Sequence, residues 1–298
     1  MPHLNGHSPD AGLTLGQVSL VGSGPGDPDL LTVAALRELQ SADLVISDRL
    51  VSKEILGLVE GDLKVARKYP GCAEEAQREI YRWMREGIAE GKHVVRLKIG
   101  DPFIFGRGGE EVIEMRKYGV ECRVVPGISS VFSAPLLAGI PVTHRGVATQ
   151  VTLGTGYGKD YSYPDISDYH PQKTAVFLMA IGRLRELCAD MRARGYPEDC
   201  PVAIVESAST PRQRVVAGTV STILDVATEL GVKPPSTIVV GEVVRVLHGE
   251  AHGLVSDVAA NAAEVSMVKS RNVEVFEVKT SSDNDMEVID HAVKSQII

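Results

Sequence analysis

Cysteine is scarce in this sequence: four residues, Cys72, Cys122, Cys188 and Cys200, stand in a chain of 298, and no two form a C-x-x-C pair. That scatter argues against a zinc cage and a disulfide framework and leaves free thiols as the expectation, with no metal site. Long apolar runs are missing too, so no stretch reads as a membrane span, and Met1 to Gly16 lack the apolar core of a signal peptide. A soluble protein of the cytoplasm is therefore expected. Basic charge is not in excess. The formal net charge of −8 disfavours a nucleic-acid backbone or an anionic membrane as partner. An acidic small molecule stays open, because only the cleft that receives it has to be positive. Neither an internal repeat nor a low-complexity tract is evident.

What is present is 44% hydrophobic composition, enough at this length for two medium cores. One stretch organises the reading. Residues 93–97 form a β-branched run of strand type, Gly100-Asp101-Pro102 stops it, and Gly108-Gly109-Glu110-Glu111 swings the backbone into a helix with acid at its positive end. Loops at the carboxyl ends of strands are where open α/β sheets take ligands, so glycines, Phe103, Phe105 and Arg107 crowded into one loop mark a candidate site. A salt bridge from Arg107 to Glu110 or Glu111 is the alternative.

In chain order, residues 1–15 read as a disordered leader. A strand over 17–21 runs into Gly22-Ser23-Gly24-Pro25-Gly26-Asp27-Pro28, which invites a dinucleotide reading but fits it poorly. The G-x-G-x-x-G spacing needs glycine where Asp27 stands, and Pro25 removes an amide that could cradle a pyrophosphate. Asp29 is expected to cap a helix, and a strand over 42–47 closes a βαβ unit and ends in Asp48-Arg49, a rim pair or an ordinary surface ion pair. Further strands are expected over 63–67 and 122–125, with helices over 74–87, 112–118 and 129–138; Trp83 reads as core. A first α/β domain over 16–140 and a second over 141–248 follow, the second with strands over 150–154, 174–180, 202–206, 215–220 and 237–244. Residues 157–172 read as a lid or a plain insertion. Residues 249–298 are a tail of unknown role with one alternating patch over 273–278.

Five stretches, in order, resemble the tetrapyrrole methyltransferases. They are Gly22 to Pro28 with Leu30-Leu31-Thr32; Asp48-Arg49-Leu50-Val51-Ser52; Arg96-Leu97-Lys98 through Gly106-Arg107-Gly108-Gly109-Glu110-Glu111; Val125-Pro126-Gly127-Ile128-Ser129; and Gly139-Ile140-Pro141-Val142-Thr143-His144-Arg145. The resemblance covers about residues 16–247. It implies the tetrapyrrole methylase fold, two α/β domains with a cofactor cleft between them, and a homodimer. It also implies transfer of two methyl groups from S-adenosyl-L-methionine to ring carbons of uroporphyrinogen III, giving precorrin-2 on the sirohaem or cobalamin route and leaving S-adenosyl-L-homocysteine. A precorrin methyltransferase acting at another position, or a diphthine synthase, would share the fold. A dinucleotide-dependent oxidoreductase rests on the Gly22 turn alone, and a tetrapyrrole carrier would need the arginines but no donor pocket.

Carried over with the resemblance, the donor site comprises Pro25, Ile99, Gly100, Asp101, Ile104, Ser129, Ser130, Met179 and Ala208, where Ile99, Ala208 and Ala180 stand at positions the family usually fills with glycine. Asp48 and Lys68 match positions implied to accept and donate a proton, with Arg107 beside them in catalysis. An octacarboxylate substrate calls for guanidinium forks, and Arg49, Arg107, Thr143, His144 and Arg145 are the implied substrate contacts.

Overall fold

β-Branched runs separated by amphipathic segments assemble into two sheets. The computed structural model describes residues 15–66, 73–163, 165–248, 264–270 and 273–279. The leader at 1–14, Lys68, Cys72 and most of the tail lie outside the described residues.

The first sheet holds β1 (Gln17–Gly22), β2 (Leu44–Asp48), β3 (Asp62–Ala66), β4 (His93–Lys98) and β5 (Cys122–Val125), in the order β3-β2-β4-β1-β5. Every pairing in it is parallel. A parallel sheet has to be covered on both faces, and alternation along each strand divides the apolar side chains accordingly. Val18, Leu20, Leu44, Ile46 and Val94 pack with Ile80, Met84 and Ile88 of α3 (Ala73–Ala89) and Met115 of α4 (Gly108–Arg116). On the other face Val45, Val95 and Leu97 meet Ala35 and Leu39 of α1 (Val33–Ser41) and Ile55 of α2 (Lys53–Leu56). Arg96 and Lys98 follow Val94 at the strand period, which turns both toward α3 and α4.

The second sheet contains β6 (Gln150–Thr155), β7 (Lys173–Leu178), β8 (Pro201–Glu206), β9 (Arg214–Thr219), β10 (Ser236–Val240), β11 (Glu264–Ser270) and β12 (Val273–Lys279), ordered β11-β12-β9-β8-β10-β7-β6. Only β6 with β7 is parallel among these. One face is covered by α6 (Leu184–Ala193) and α7 (Ile223–Glu229), which bring Leu187, Met191, Ile223 and Val226 into its core. The other is covered by α5 (Ser130–Leu137): Val131 and Ala134 share a core with Val176, Ala203, Val205 and Val239. That helix precedes residue 140 in the chain yet packs on the second sheet, so it bridges the two units.

Local details differ from the sequence expectations for identifiable reasons. Thr32, not Asp29, caps α1, its hydroxyl accepting from the Ala35 amide at 3.1 Å; Pro28–Leu30 is a separate 3-10 turn capped by Asp27. The expected strand over 237–244 stops at Val240, where Gly241 turns at φ 134 into a 3-10 turn. The expected strand over 273–278 is β12, and it adds to the edge of β9. Residues 157–163 are pinned to the 3-10 turn Ile181–Arg183 that follows β7: the Arg183 guanidinium lies 4.3 Å from the Tyr157 ring and donates to the Tyr161 carbonyl at 2.7 Å.

Candidate active site

The carboxyl ends of β1, β4 and β5 converge so closely that their loops touch backbone to backbone. Gly24 donates to the Gly100 carbonyl at 3.2 Å, and Gly100 donates back to the Gly24 carbonyl at 2.8 Å. A side-chain carbon on Gly127 would lie 2.2 Å from the Gly100 oxygen, and one on Gly22 would lie 2.6 Å from Gly127. Only glycine allows that approach. Pro25 is buried in this floor, and Ser129 stands beside Gly100 as the cap of α5. Ser130 opens the helix, Ile99 packs on the core beneath α1, and the Asp101 carboxylate accepts from the Phe103 amide at 2.8 Å.

The second domain meets this floor through its own strand ends. Ile104 and Ala208 pack against the core that α5 shares with the second sheet. Met179, Ser207 and Ser209, which follow β7 and β8, hold left-handed backbone at φ 54, 50 and 65. Such positions cost about 1–3 kcal/mol each and gather where a site demands them. Across the gap the Asp27 amide donates to the Ser209 hydroxyl at 3.0 Å. Of the expected donor residues, Pro25, Gly100, Asp101 and Ser129 thus line one side, and Met179 and Ala208 belong to the other.

Beneath the rim lies a buried charge cluster. The Arg96 Nε donates to Glu111 Oε1 at 3.1 Å, its Nη1 to the carbonyls of Ile46 and Leu97, and its Nη2 to Asp48 Oδ1. Lys98 Nζ reaches both Glu111 oxygens, at 3.1 and 3.0 Å, and Gln77 Nε2 donates to Glu111 Oε1 at 3.0 Å. Burial by itself would push the Glu111 carboxyl up, but the Arg96 and Lys98 cations and the Gln77 hydrogen bond hold it below the ordinary range. Burial opposes the Arg96 charge as well, and Asp48 and Glu111 together more than compensate. Glu111, expected as helix-terminal acid, is instead spent on this interior.

Arg107 caps α4 in left-handed backbone at φ 59 and its guanidinium is already paired, with Glu110 at 2.7 Å and Glu74 at 2.8 Å. Its partners are exposed. Arg49 is exposed after β2, and Thr143, His144 and Arg145 are exposed on the segment after α5, where the His144 amide donates to the Ala148 carbonyl at 3.1 Å. Among the described residues no group of three or more His, Cys, Asp or Glu side chains is placed to hold a metal ion.

The sequence pattern that defines the Tetrapyrrole (Corrin/Porphyrin) Methylases matches residues 17–224. The chain belongs to that family. A methylase from Methanocaldococcus jannaschii named uroporphyrinogen-III C-methyltransferase is 43% identical over 241 residues, which cover 79% of this chain and 99% of the relative. A probable uroporphyrinogen-III C-methyltransferase from Schizosaccharomyces pombe is 44% identical over 76% of this chain, but the match spans only 46% of that protein. The chain thus spans about half the length of several curated relatives it matches. A crystal structure of uroporphyrin-III C-methyl transferase from Thermus thermophilus complexed with S-adenosyl homocysteine superposes with TM-score 0.68 at 39% identity, covering 78% of this chain and all of that one.

Within this methylase fold, the residues missed by reading the sequence are Gln77, Arg96, Lys98 and Glu111 as a cluster, and Ser209 as the link to Asp27. A signal was present for the cluster. Two cations at alternate positions of a strand whose other interior residues are Val94, Val95 and Leu97, buried on both faces by its neighbours, need buried acids to meet them.

Proposed function

We propose that this chain transfers two methyl groups from S-adenosyl-L-methionine to ring carbons of uroporphyrinogen III, giving precorrin-2 and S-adenosyl-L-homocysteine. The observation that carries this reading is the match along 99% of the archaeal relative that bears that enzyme's name. The residues fit the donor: a floor of bare backbone at Gly22, Gly100 and Gly127 permits close approach of a nucleoside, and Met179 and Ala208 offer apolar contact from the facing domain. The sulfonium supplies an already activated methyl group, so the protein's task is to hold an electron-rich pyrrole carbon in line with it. Positioning of this kind is worth about 7–11 kcal/mol in favourable cases.

We assign Asp48, at the carboxyl end of β2, to take the proton that the macrocycle releases once a ring carbon has been methylated, and Lys68 to the complementary donation. Arg49, Arg107, Thr143, His144 and Arg145 receive the substrate's carboxylates. Arg107 can be recruited at small cost, because its present partners Glu74 and Glu110 are 72% and 55% exposed and surface pairs are weak in water. We assign the active form as a cytoplasmic homodimer, for which exposed Phe132 and Leu136 on α5 offer apolar surface. No helix among the described residues is long and apolar enough to cross a membrane.

A precorrin methyltransferase of other regiochemistry is the second reading. It is less favoured, since the cobalt precorrin-4 methyltransferase structure is 26% identical where the Thermus enzyme is 39%. Incubation with isotopically labelled donor and uroporphyrinogen III, read by mass, tests the proposal. Two labelled methyl groups on the tetrapyrrole are expected. An unmodified substrate beside a folded, donor-binding protein would overturn it.

A further inference from the structure

Arg96 makes four hydrogen bonds in four directions from a side chain with no exposed surface. Two of them anchor it to the backbone of β2 and β4 through the Ile46 and Leu97 carbonyls, so the guanidinium plane cannot turn. The remaining two reach carboxylates of different standing. Glu111 is fully buried, whereas Asp48 is 14% exposed and stands at the rim. Glu111 is met by two cations, because Lys98 also contacts both of its oxygens. Arg96 also carries a hydrogen bond to Asp48.

We propose that Arg96 is a positioning residue for methyl transfer: anchored from below by Glu111 and the strand carbonyls, it fixes the orientation of the Asp48 carboxylate at the rim. This rests on the reading of Asp48 as a group that touches substrate. The task needs a guanidinium. A planar fork can serve a carboxylate on one edge while its other nitrogens hold carbonyls and a second acid, and a lysine ammonium is a point donor that cannot span those partners. The seating of the cluster explains why two cations occupy an interior strand. Lys98 balances the acid of α4, and Arg96 transmits the position of that acid to the end of β2.

The test is a double-variant cycle on Arg96→Lys and Asp48→Asn in the full chain, with kcat, KM for uroporphyrinogen III, S-adenosyl-L-homocysteine affinity by calorimetry and thermal unfolding for each protein. Arg96→Lys is expected to lower kcat about a hundredfold, the scale of a misplaced reacting group, with KM and donor affinity unchanged. In the Asp48→Asn background the same substitution should lower kcat no further. Losses that multiply, or wild-type kcat in Arg96→Lys, would overturn the inference. Wild-type turnover in Asp48→Asn would instead overturn the reading of Asp48. Should Arg96→Lys not fold, the paired variant Arg96→Gln with Glu111→Gln removes one buried charge of each sign. It should fold and show the same kcat loss, and wild-type kcat in it would contradict the proposal.

Discussion

Two arginines eleven positions apart, each held by two carboxylates, show how differently the same pairing acts in two places. Arg96 lies wholly buried between Glu111 and Asp48, and Arg107 lies 30% exposed between Glu110 and Glu74. In the interior the charges have lost their water, so each depends on its partner and removing one strands another. At the surface water replaces any partner that leaves. The buried pair is therefore suited to fixing geometry, and the exposed pair is suited to exchange, in which a carboxylate arriving on a substrate takes the place of a side chain.

The comparison breaks most sharply under Arg96→Met. Asp48 would then lose its bond to the guanidinium and Glu111 one of its two cations, and a loss of about 3–5 kcal/mol is expected in denaturant unfolding. A loss below that of an exposed pair would make the cluster dispensable. Next in size is Gly127→Ala, which puts a carbon 2.2 Å from the Gly100 carbonyl. Strain of about 1–3 kcal/mol is expected, with weakened binding of S-adenosyl-L-homocysteine by calorimetry. Unchanged affinity would remove the glycine floor from the donor site. A pH series probes the buried acid without substitution. The Glu111 carboxyl is held below its ordinary value of 4.5, so its contribution to stability is full above that pH and is lost as pH falls through the folded value. Acid unfolding of Glu111→Gln should accordingly be shallower below pH 4.5 than that of the wild type. The smallest effect belongs to Arg107→Ala, whose stability should stay within about 1 kcal/mol of wild type.

Much of this was legible in the sequence where local signals agree with the fold. Each strand of the first sheet was expected from a short strand-type run, most plainly the β-branched run of β4, and the loops after β1, β4 and β5 carried the glycines that bring them together. Arg96 and Lys98 were visible as residues, but their partners Gln77 and Glu111 come from two helices, and only the parallel register of β4 beside β2 carries Arg96 to Asp48. The link between Asp27 and Ser209 spans 182 positions of the chain and rests on a hydroxyl whose backbone is left-handed, a conformation that a serine does not advertise. The start of α1 was misread because Asp27, Asp29 and Thr32 all suit a cap; a 3-10 turn took the first of them and Thr32 capped the helix.

The division of labour between the two arginines is tested most directly by the dependence of methyl transfer on uroporphyrinogen III concentration in Arg107→Lys. The charge stays while the fork that grips a carboxylate is lost, so KM should rise while the melting temperature and donor affinity hold at wild-type values. An unchanged KM together with a lowered melting temperature would contradict the account and return Arg107 to the role of a structural clamp between α3 and α4.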